Sequence, residues 1–316
     1  NFCNMAEANL LTWAGGWGLP SLDPCCLQAM AYAKFAGFPT KVTCCNNPYK
    51  SPTATLPVLW LTDDVFCGCD DIIEYLKTNN NNTDEELSSK QKMDTLGLCC
   101  YVEDMLRPAL LYMKWLVDQN YTQFTRGFYA KQLKFPYNYI IPAKYFNHAK
   151  SFVSHKLNIE EPDVICEITE EKLIKRAESC FKVLNDVLGD QEFLFGESPT
   201  TLDSKVFSYL VIMLKIPLPI NKLKSRILDY PKLEQYCDKI LHLYFPTVAR
   251  ELGPPDRVKQ EAEESRRNKI NAAISVGFAV VAMVFYALSS GIIQIDVEEK
   301  DSCENCQNNG RETDEK

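Results

Sequence analysis

The stretch FLFGESPTTLDSKVFSYLVIML, residues 193–214, carries the most specific local signal in the chain. Its TTLD segment fits a helix capping box, in which the Thr200 hydroxyl accepts the third helical amide and the Asp203 carboxylate accepts the Thr200 amide. An aromatic stretch and Gly196 precede the box, and a nearly all-apolar run follows it. The pattern predicts a buried helix after Thr200, and truncation of Asp203 to alanine is expected to cost about 1–2 kcal/mol.

Helical periodicity continues on both sides of this stretch, from Asp84 to about Phe245, without a clear strand. The segment from Thr169 to Gly189 is strongly amphipathic, because its apolar residues recur every three or four positions. One stripe of it is predicted to face the core: Leu173, Ala177, Cys180, Phe181, Leu184 and Leu188. An earlier helix is expected to begin with acidic residues from Asp84 onward and to contain Pro108, which favours a kink.

The first part of the chain shows a different pattern, in which strands alternate with helices. Asp23 is predicted to be an N-cap and Pro24 the first residue of its helix. Apolar runs on either side of this helix predict two parallel strands in a βαβ unit.

Three further elements are expected before residue 80, one of which is a short strand at VFCG, residues 65–68, after a turn at Asp63-Asp64. The apolar segment around Val58 predicts a strand, although Pro57 is unusual at the start of a buried strand unless the bond before it is cis. A helix is expected to follow through Ile72 and Leu76, with Asp70 or Asp71 as its cap.

Composition excludes several function classes. The formal net charge of −8 argues against nucleic-acid binding, because phosphates require a basic face. The three histidines are scattered along the chain and predict no metal site. The fourteen cysteines would suit a disulfide framework in a secreted chain. We see no secretory signal after Met5, the expected start, so mostly buried thiols in a reducing compartment are the favoured interpretation.

The order of elements, with Pro57 as a cis-proline corner, resembles a thioredoxin-like domain and most closely the N-terminal half of the glutathione transferases. The helix after Thr200 resembles the core helix of the C-terminal domain in that superfamily, where the buried box is structural. The resemblance implies an α/β thioredoxin-like N-terminal domain plus an all-α glutathione-transferase-like C-terminal domain. It also implies structural roles for Pro57, Thr200 and Asp203.

The same resemblance implies that the catalytic chemistry has been lost. Asp23 stands where a redox protein of this fold has its nucleophilic cysteine, and a carboxylate cannot exchange thiols. Gly68-Cys69 stands where glutathione transferases carry a Glu-Ser or Gln-Ser pair for the γ-glutamyl group. Ser21 could be an activating hydroxyl, but a loop serine after proline is more typical of a turn. We therefore expect no catalytic, cofactor-binding or metal-binding residue; a groove remaining near Ser21, Pro57 and Cys69 could accept a peptide edge.

Several further stretches narrow the resemblance: GGWGLPS, AYAKFAGFP, NPYKSPTATLPVL, ELSSKQKMDTLG, FLFGESPTTLD, VFSYL and CDKILHLYFP. Together with the apolar run near the C-terminus they resemble the metaxin family, in the form that carries a C-terminal membrane anchor. The resemblance implies a non-enzymatic subunit of the mitochondrial outer-membrane sorting and assembly machinery, which acts in protein import and β-barrel insertion. It implies two partners, a second metaxin and the β-barrel insertase, and no small-molecule substrate. The alternative is a membrane-anchored glutathione-dependent transferase.

The apolar run at residues 270–295 predicts a transmembrane helix. It contains no charged residue and exceeds the roughly 20 residues that a helix needs to cross a bilayer. Arg266, Arg267 and Lys269 lie just before it and the residues after it are mainly acidic, and the basic side usually stays cytoplasmic. We therefore expect a tail-anchored protein whose folded domains face the cytosol; the metaxin resemblance places it in the mitochondrial outer membrane.

These patterns divide the chain into five expected parts. They are a thioredoxin-like domain at residues 5–80, an all-α domain at 84–246, a charged linker at 247–269, the transmembrane helix at 270–295 and an acidic tail at 296–316.

Overall fold

A mixed four-stranded sheet organises the N-terminal part of the chain in the computed structural model, which describes residues 8–45, 47–159, 167–246 and Met283. The strands are β1 (Asn9–Thr12), β2 (Lys41–Cys44), β3 (Val58–Trp60) and β4 (Val65–Cys67), in the order β2-β1-β3-β4. Strands β1 and β2 pair in parallel, whereas β3 is antiparallel to both β1 and β4. The parallel pair confirms the predicted βαβ arrangement.

Helix α1 (Pro24–Phe35) joins β1 to β2 and begins where the sequence predicts. The Asp23 carboxylate accepts the Cys26 amide at 2.9 Å, and Pro24 occupies the first turn, where its missing N–H costs nothing. Most of the helix is buried, because it packs against other helices, above all the one that begins at Thr201.

Helix α2 (Cys69–Thr78) begins differently from the expectation that Asp70 or Asp71 caps it. Its N-cap is Gly68, which makes no side-chain cap, so both carboxylates lie in the first helical turn instead. Gly68 has a φ of 93°, in a region that favours glycine, and its N–H donates to the Pro57 carbonyl at 2.9 Å. This glycine turns the chain into the helix before either aspartate is reached.

The remaining described chain is helical, apart from connecting turns. A 3₁₀ turn spans Pro48–Lys50, and π-helical turns span Tyr112–Leu116 and Tyr121–Thr125. The helices are α3 (Ser89–Leu111), α4 (Asp118–Asn120), α5 (Arg126–Gln132), α6 (Tyr137–Lys156), α7 (Glu167–Leu188), α8 (Thr201–Lys215), α9 (Lys222–Leu228) and α10 (Pro231–Tyr244).

Helix α3 starts later than the expected acidic first turn from Asp84. Ser88 and Gln91 form a capping box at its start, so the preceding acidic residues lie outside the helix. The SSKQ segment at 88–91 fits the capping-box pattern, so the sequence itself contains the signal for this boundary.

The core is continuous from the sheet to the helical part. Helix α8 is its centre, because it packs on α1, α3 and α10 and buries nearly every side chain. The predicted apolar stripe of α7, from Leu173 to Leu188, is fully buried and is confirmed, and Cys180 belongs to it as a small core residue.

The chain divides into two compact units, Asn1–Gly253 and Pro254–Lys316. In the part that the structure describes, no helix is long and apolar enough to cross a membrane. The expected anchor at 270–295, except Met283, lies outside the described residues. So do its basic flank, Arg266, Arg267 and Lys269, the linker and the acidic tail.

Candidate functional site

The loop before α1 and the corner at Pro57 are where the resemblance to glutathione transferases predicts a ligand site. The Leu56–Pro57 peptide bond is cis, and the Pro57 carbonyl accepts the Gly68 amide. Ser21 is fully buried, and its hydroxyl accepts the Asp23 amide at 3.3 Å. Ser21 and Asp23 thus serve the turn and the helix cap rather than presenting reactive groups.

The thiols at this corner are held in their protonated form. Burial, followed by the nearby Asp23 charge, raises the pKa of Cys26 well above its ordinary value. A hydrogen bond with Cys69, followed by burial, does the same to the pKa of Cys25. Because the thiolate is the nucleophile, neither cysteine is activated for thiol chemistry.

Aromatic side chains from the end of β1 and from the helical part pack beside the proline corner. This aromatic cluster consists of Trp13 after β1, Trp115 in the first π-helical turn, Tyr129 on α5 and Tyr145 on α6. Trp13 lies edge-on to Tyr129 at 5.2 Å between ring centroids, and Trp115 lies 5.1 Å from Tyr129. Leu56, the residue before the cis bond, belongs to the same packed group. On the side of the corner where this cluster packs, the neighbours of Leu56 are therefore side chains of the protein itself.

A buried lysine connects this cluster to the start of α1. The Lys114 ammonium donates to the Leu22 carbonyl at 2.8 Å and to the Tyr129 hydroxyl at 3.3 Å. Burial lowers the pKa of Lys114 to about 8, although the Asp23 charge opposes this shift. The lysine braces the helical part against the loop that carries Ser21 and Asp23.

An open groove of about 900 Å³ is lined mainly by residues of α2, α3, α6 and α8. Ser21, Pro57 and Cys69 are not among its lining residues, although Asp70, the neighbour of Cys69, is one of them. Glu103 on α3 is its central charge and accepts hydrogen bonds from Tyr209 at 2.8 Å and Lys205 at 3.3 Å. Burial alone would raise the pKa of Glu103, but the Lys205 charge and these bonds outweigh it and lower the pKa.

The capping box brings Thr200 and Asp203 together at the buried start of α8. The Asp203 carboxylate accepts four hydrogen bonds, from the Thr200 amide and hydroxyl, the Leu194 amide and the Tyr236 hydroxyl, at 2.7–2.9 Å. Burial raises the pKa of Asp203 despite these bonds. These bonds join α8 to the preceding loop and to α10. Pro57, the third residue for which a structural role is expected, takes part in none of them.

Sequence reasoning missed a second carboxylate at the same helix start. Asp84 accepts the Thr201 amide at 2.9 Å and the Thr201 hydroxyl at 2.6 Å, and it pairs with Lys77 of α2 at 2.9 Å. An anion at a helix N-terminus is favourable, and here it links α2 with α8. Nothing local in the sequence indicates this contact, because Asp84 and Thr201 are far apart in the chain.

Comparison with known proteins identifies the family. Residues 26–146 match the family model of an outer mitochondrial membrane transport complex protein, Tom37, and residues 177–240 match the glutathione S-transferase C-terminal domain. Metaxin-1 of Macaca fascicularis is 36% identical, over 92% of each chain. Human metaxin-1 is 37% identical over 92% of this chain, which spans 63% of that relative. The chain belongs to the metaxin family. Metaxin-3 of Danio rerio is 34% identical over 78% of this chain and 79% of its own.

Solved structures agree with the fold of this metaxin family member. A glutathione S-transferase of Ceriporiopsis subvermispora superposes with a TM-score of 0.53 at 10% identity, covering 76% of this chain and 98% of its own. A glutathione transferase of Phanerochaete chrysosporium gives 0.50 at 14% identity, covering 75% and 97%. At such low identity the likeness shows the fold alone: a glutathione-transferase-like arrangement of a mixed sheet and a helical C-terminal part.

Proposed function

We propose that this metaxin is a non-enzymatic subunit of the mitochondrial outer-membrane sorting and assembly machinery. It acts in protein import and β-barrel insertion by docking other proteins, and its partners are a second metaxin and the β-barrel insertase. Membership of the metaxin family and the match of residues 26–146 to a mitochondrial outer-membrane transport model support a role in mitochondrial protein import.

The aromatic cluster beside Pro57 is the main structural support for the proposal that the protein is not an enzyme. A ligand there would have to displace Trp13, Trp115 and Tyr129, which pack against one another and are nearly fully buried. Burying an aromatic side chain contributes several kcal/mol to a fold, so displacement is unfavourable. Together with the protonated thiols at Cys25 and Cys26, this packing supports a scaffold that holds no thiol cofactor.

Co-purification from mitochondria tests the docking role. The tagged full-length chain is extracted from the outer membrane with digitonin, and bound proteins are identified by mass spectrometry. A bait carrying only residues 247–316 is the matched control, because it keeps the proposed anchor and lacks the domains that precede residue 247. We expect the full chain, and not the control, to retain a second metaxin and the β-barrel insertase. Recovery of neither protein by the full chain contradicts the proposal.

The alternative, a glutathione-dependent transferase, is favoured only by the fold that the chain shares with such enzymes. Isothermal calorimetry of the full chain with glutathione separates the two functions. We expect no saturable heat, because Gly68-Cys69 lacks the polar pair with which glutathione transferases hold the γ-glutamyl group. Saturable binding in the millimolar range or tighter, together with conjugation of an electrophile, would favour the transferase.

The membrane part of the proposal rests on the sequence. We propose that residues 270–295 anchor the chain, with Arg266, Arg267 and Lys269 on the cytosolic side of the outer membrane. The expected division into residues 5–80, 84–246, 247–269, 270–295 and 296–316 belongs to the same proposal. Alkaline carbonate should leave the full chain in the mitochondrial membrane pellet, and protease added to intact mitochondria should remove the folded unit. Release by carbonate contradicts the proposed anchor. Full protection from protease contradicts the proposed cytosolic orientation.

A further inference from the structure

Positive charge is segregated along this acidic chain. No aspartate or glutamate occurs between Gln119 and Ile159, a stretch that covers α5 and α6, or between Pro39 and Thr62. Basic residues are present in both segments: Lys41, Lys50, Arg126, Lys131, Lys134, Lys144, Lys150 and Lys156. Lys156 pairs with Asp104 of α3. Because neither segment has an acidic residue of its own in this chain of net charge −8, the two segments form a local positive region.

The two segments meet in space. The ring of Tyr49, in the 3₁₀ turn, lies 5.3 Å from that of Tyr137 at the start of α6. The Lys144 ammonium lies 5.8 Å from the centroid of the Tyr49 ring, within the range of a cation–π contact. The region is therefore one continuous surface rather than two separate patches.

Large apolar side chains stand exposed on this surface. Phe135 is 68% exposed and contacts Tyr139, which is 55% exposed, while Ile140 is 49% exposed. Ile140 and Lys144 are four residues apart on α6 and so share one side of the helix. We call this surface the basic aromatic face, comprising Tyr49, Lys134, Phe135, Tyr139, Ile140 and Lys144.

We propose that the basic aromatic face is a membrane-contacting surface that lies on anionic lipid headgroups. Exposed apolar side chains that cluster are uncommon on a soluble surface and mark an interaction site. Tyrosine rings suit the headgroup region because they combine an apolar body with a polar tip. Surrounding lysines supply attraction to phosphate, and no carboxylate in either segment opposes it. Charge complementarity thus points to an anionic bilayer rather than to an uncharged apolar partner.

Fluorescence quenching by lipid in reconstituted vesicles tests the proposal on the full chain. Tyr139→Trp places a reporter in the face, and Leu243→Trp places one at a similarly exposed position on α10, at 58% exposure. Phosphatidylcholine brominated on its acyl chains quenches only tryptophan close to the hydrocarbon. In vesicles that contain phosphatidylserine, we expect Tyr139→Trp to show more quenching than Leu243→Trp, which should match the wild type.

Charge reversal separates headgroup attraction from simple proximity. Each lysine near an anionic surface strengthens the contact about fivefold, so losing two weakens it by about 25-fold or more. Lys134→Glu with Lys144→Glu should therefore abolish the extra quenching of Tyr139→Trp. The matched control is Lys224→Glu with Arg226→Glu on α9, both also exposed, which should preserve it.

Four results overturn the proposal. The first two are equal quenching of Tyr139→Trp and Leu243→Trp, and an equal loss of the extra quenching in both charge-reversed variants. The third is extra quenching of Tyr139→Trp that survives reversal of Lys134 and Lys144. The fourth is extra quenching that is just as large in vesicles of phosphatidylcholine alone. Equal quenching of the two reporters in every vesicle would instead favour an acidic protein as the partner of the basic aromatic face. Circular dichroism confirms that the variants fold, as expected because every substituted side chain is exposed.

Discussion

Replacement of Asp203 by alanine tests the central packing of the molecule. The carboxylate is fully buried and accepts hydrogen bonds from two backbone amides, those of Leu194 and Thr200, and from two hydroxyls. The hydroxyls of Thr200 and Tyr236 can rotate towards other acceptors when the carboxylate is lost. The two amides are fixed by the backbone and would stay buried without a partner.

The size of the effect follows from those two amides. A buried donor without a partner costs about 1–3 kcal/mol, so two of them cost about 2–6 kcal/mol. Loss of the buried charge offsets part of this cost, because burial already raises the pKa of Asp203. We expect Asp203→Ala to lower the free energy of unfolding by about 3–4 kcal/mol. This exceeds the roughly 1–2 kcal/mol expected for a helix cap alone.

Equilibrium urea denaturation of the full chain, followed by tryptophan fluorescence and circular dichroism, measures the change. Asp23→Ala is the matched control, because that carboxylate caps α1 through a single bond to the Cys26 amide and should cost about 1 kcal/mol. Asp203→Asn keeps the shape and one acceptor oxygen, so about half the loss is expected if the alanine variant does not fold. Equal losses for Asp203→Ala and Asp23→Ala would refute the account of a buried hub.

Three further perturbations test other parts of the structure by urea denaturation. Lys114 has its folded pKa lowered to about 8, so the free energy of unfolding of the wild type should rise relative to Lys114→Met between about pH 8 and pH 10.5. A flat difference would contradict burial of the ammonium. The advantage of the wild type over Glu103→Gln should exist above pH 4.5 and disappear as pH falls through the lowered folded pKa of Glu103. An advantage that persists in acid would contradict the Lys205 pairing. Gly68→Ala should destabilise by about 1–3 kcal/mol through its positive φ, whereas Gly97→Ala, within α3, should stabilise by about 0.5–1 kcal/mol. The same sign for both glycines would contradict the backbone explanation.

Local patterns explain which parts of the fold could be predicted. The cap at Asp23 and the stripe of α7 follow from neighbouring residues and helical periodicity, and the structure contains both. The start of α2 was misassigned because Gly68, rather than an aspartate, makes the turn into the helix. There the deciding contact, from the Gly68 amide to the Pro57 carbonyl, is made by backbone atoms, which sequence reasoning about side chains does not reveal.

The candidate site was less predictable because tertiary contacts build it. Trp13 and Trp115 are brought to Tyr129 from separate parts of the chain, and no motif marks any of them. Sequence reasoning found that the polar groups for glutathione were absent, but not that aromatic side chains fill the space beside Pro57. The contact between Asp84 and Thr201 is equally hard to predict, because it joins the loop before α3 to the start of α8, which are far apart in the sequence.

Helix α6 contributes both to the buried aromatic cluster and to the exposed basic aromatic face. Tyr145 points into the aromatic cluster, where its ring lies 6.0 Å from that of Trp13, while the adjacent Lys144 is exposed. Adjacent helical residues project about 100° apart, so one helix can pack into the aromatic cluster and also present an exposed surface. The two roles are therefore separable: Tyr145→Ala should lower stability through lost packing, whereas Lys144→Ala should change stability little and weaken only membrane contact. The residues of α6 that stabilise the core are therefore distinct from those on its exposed side, which is available for docking.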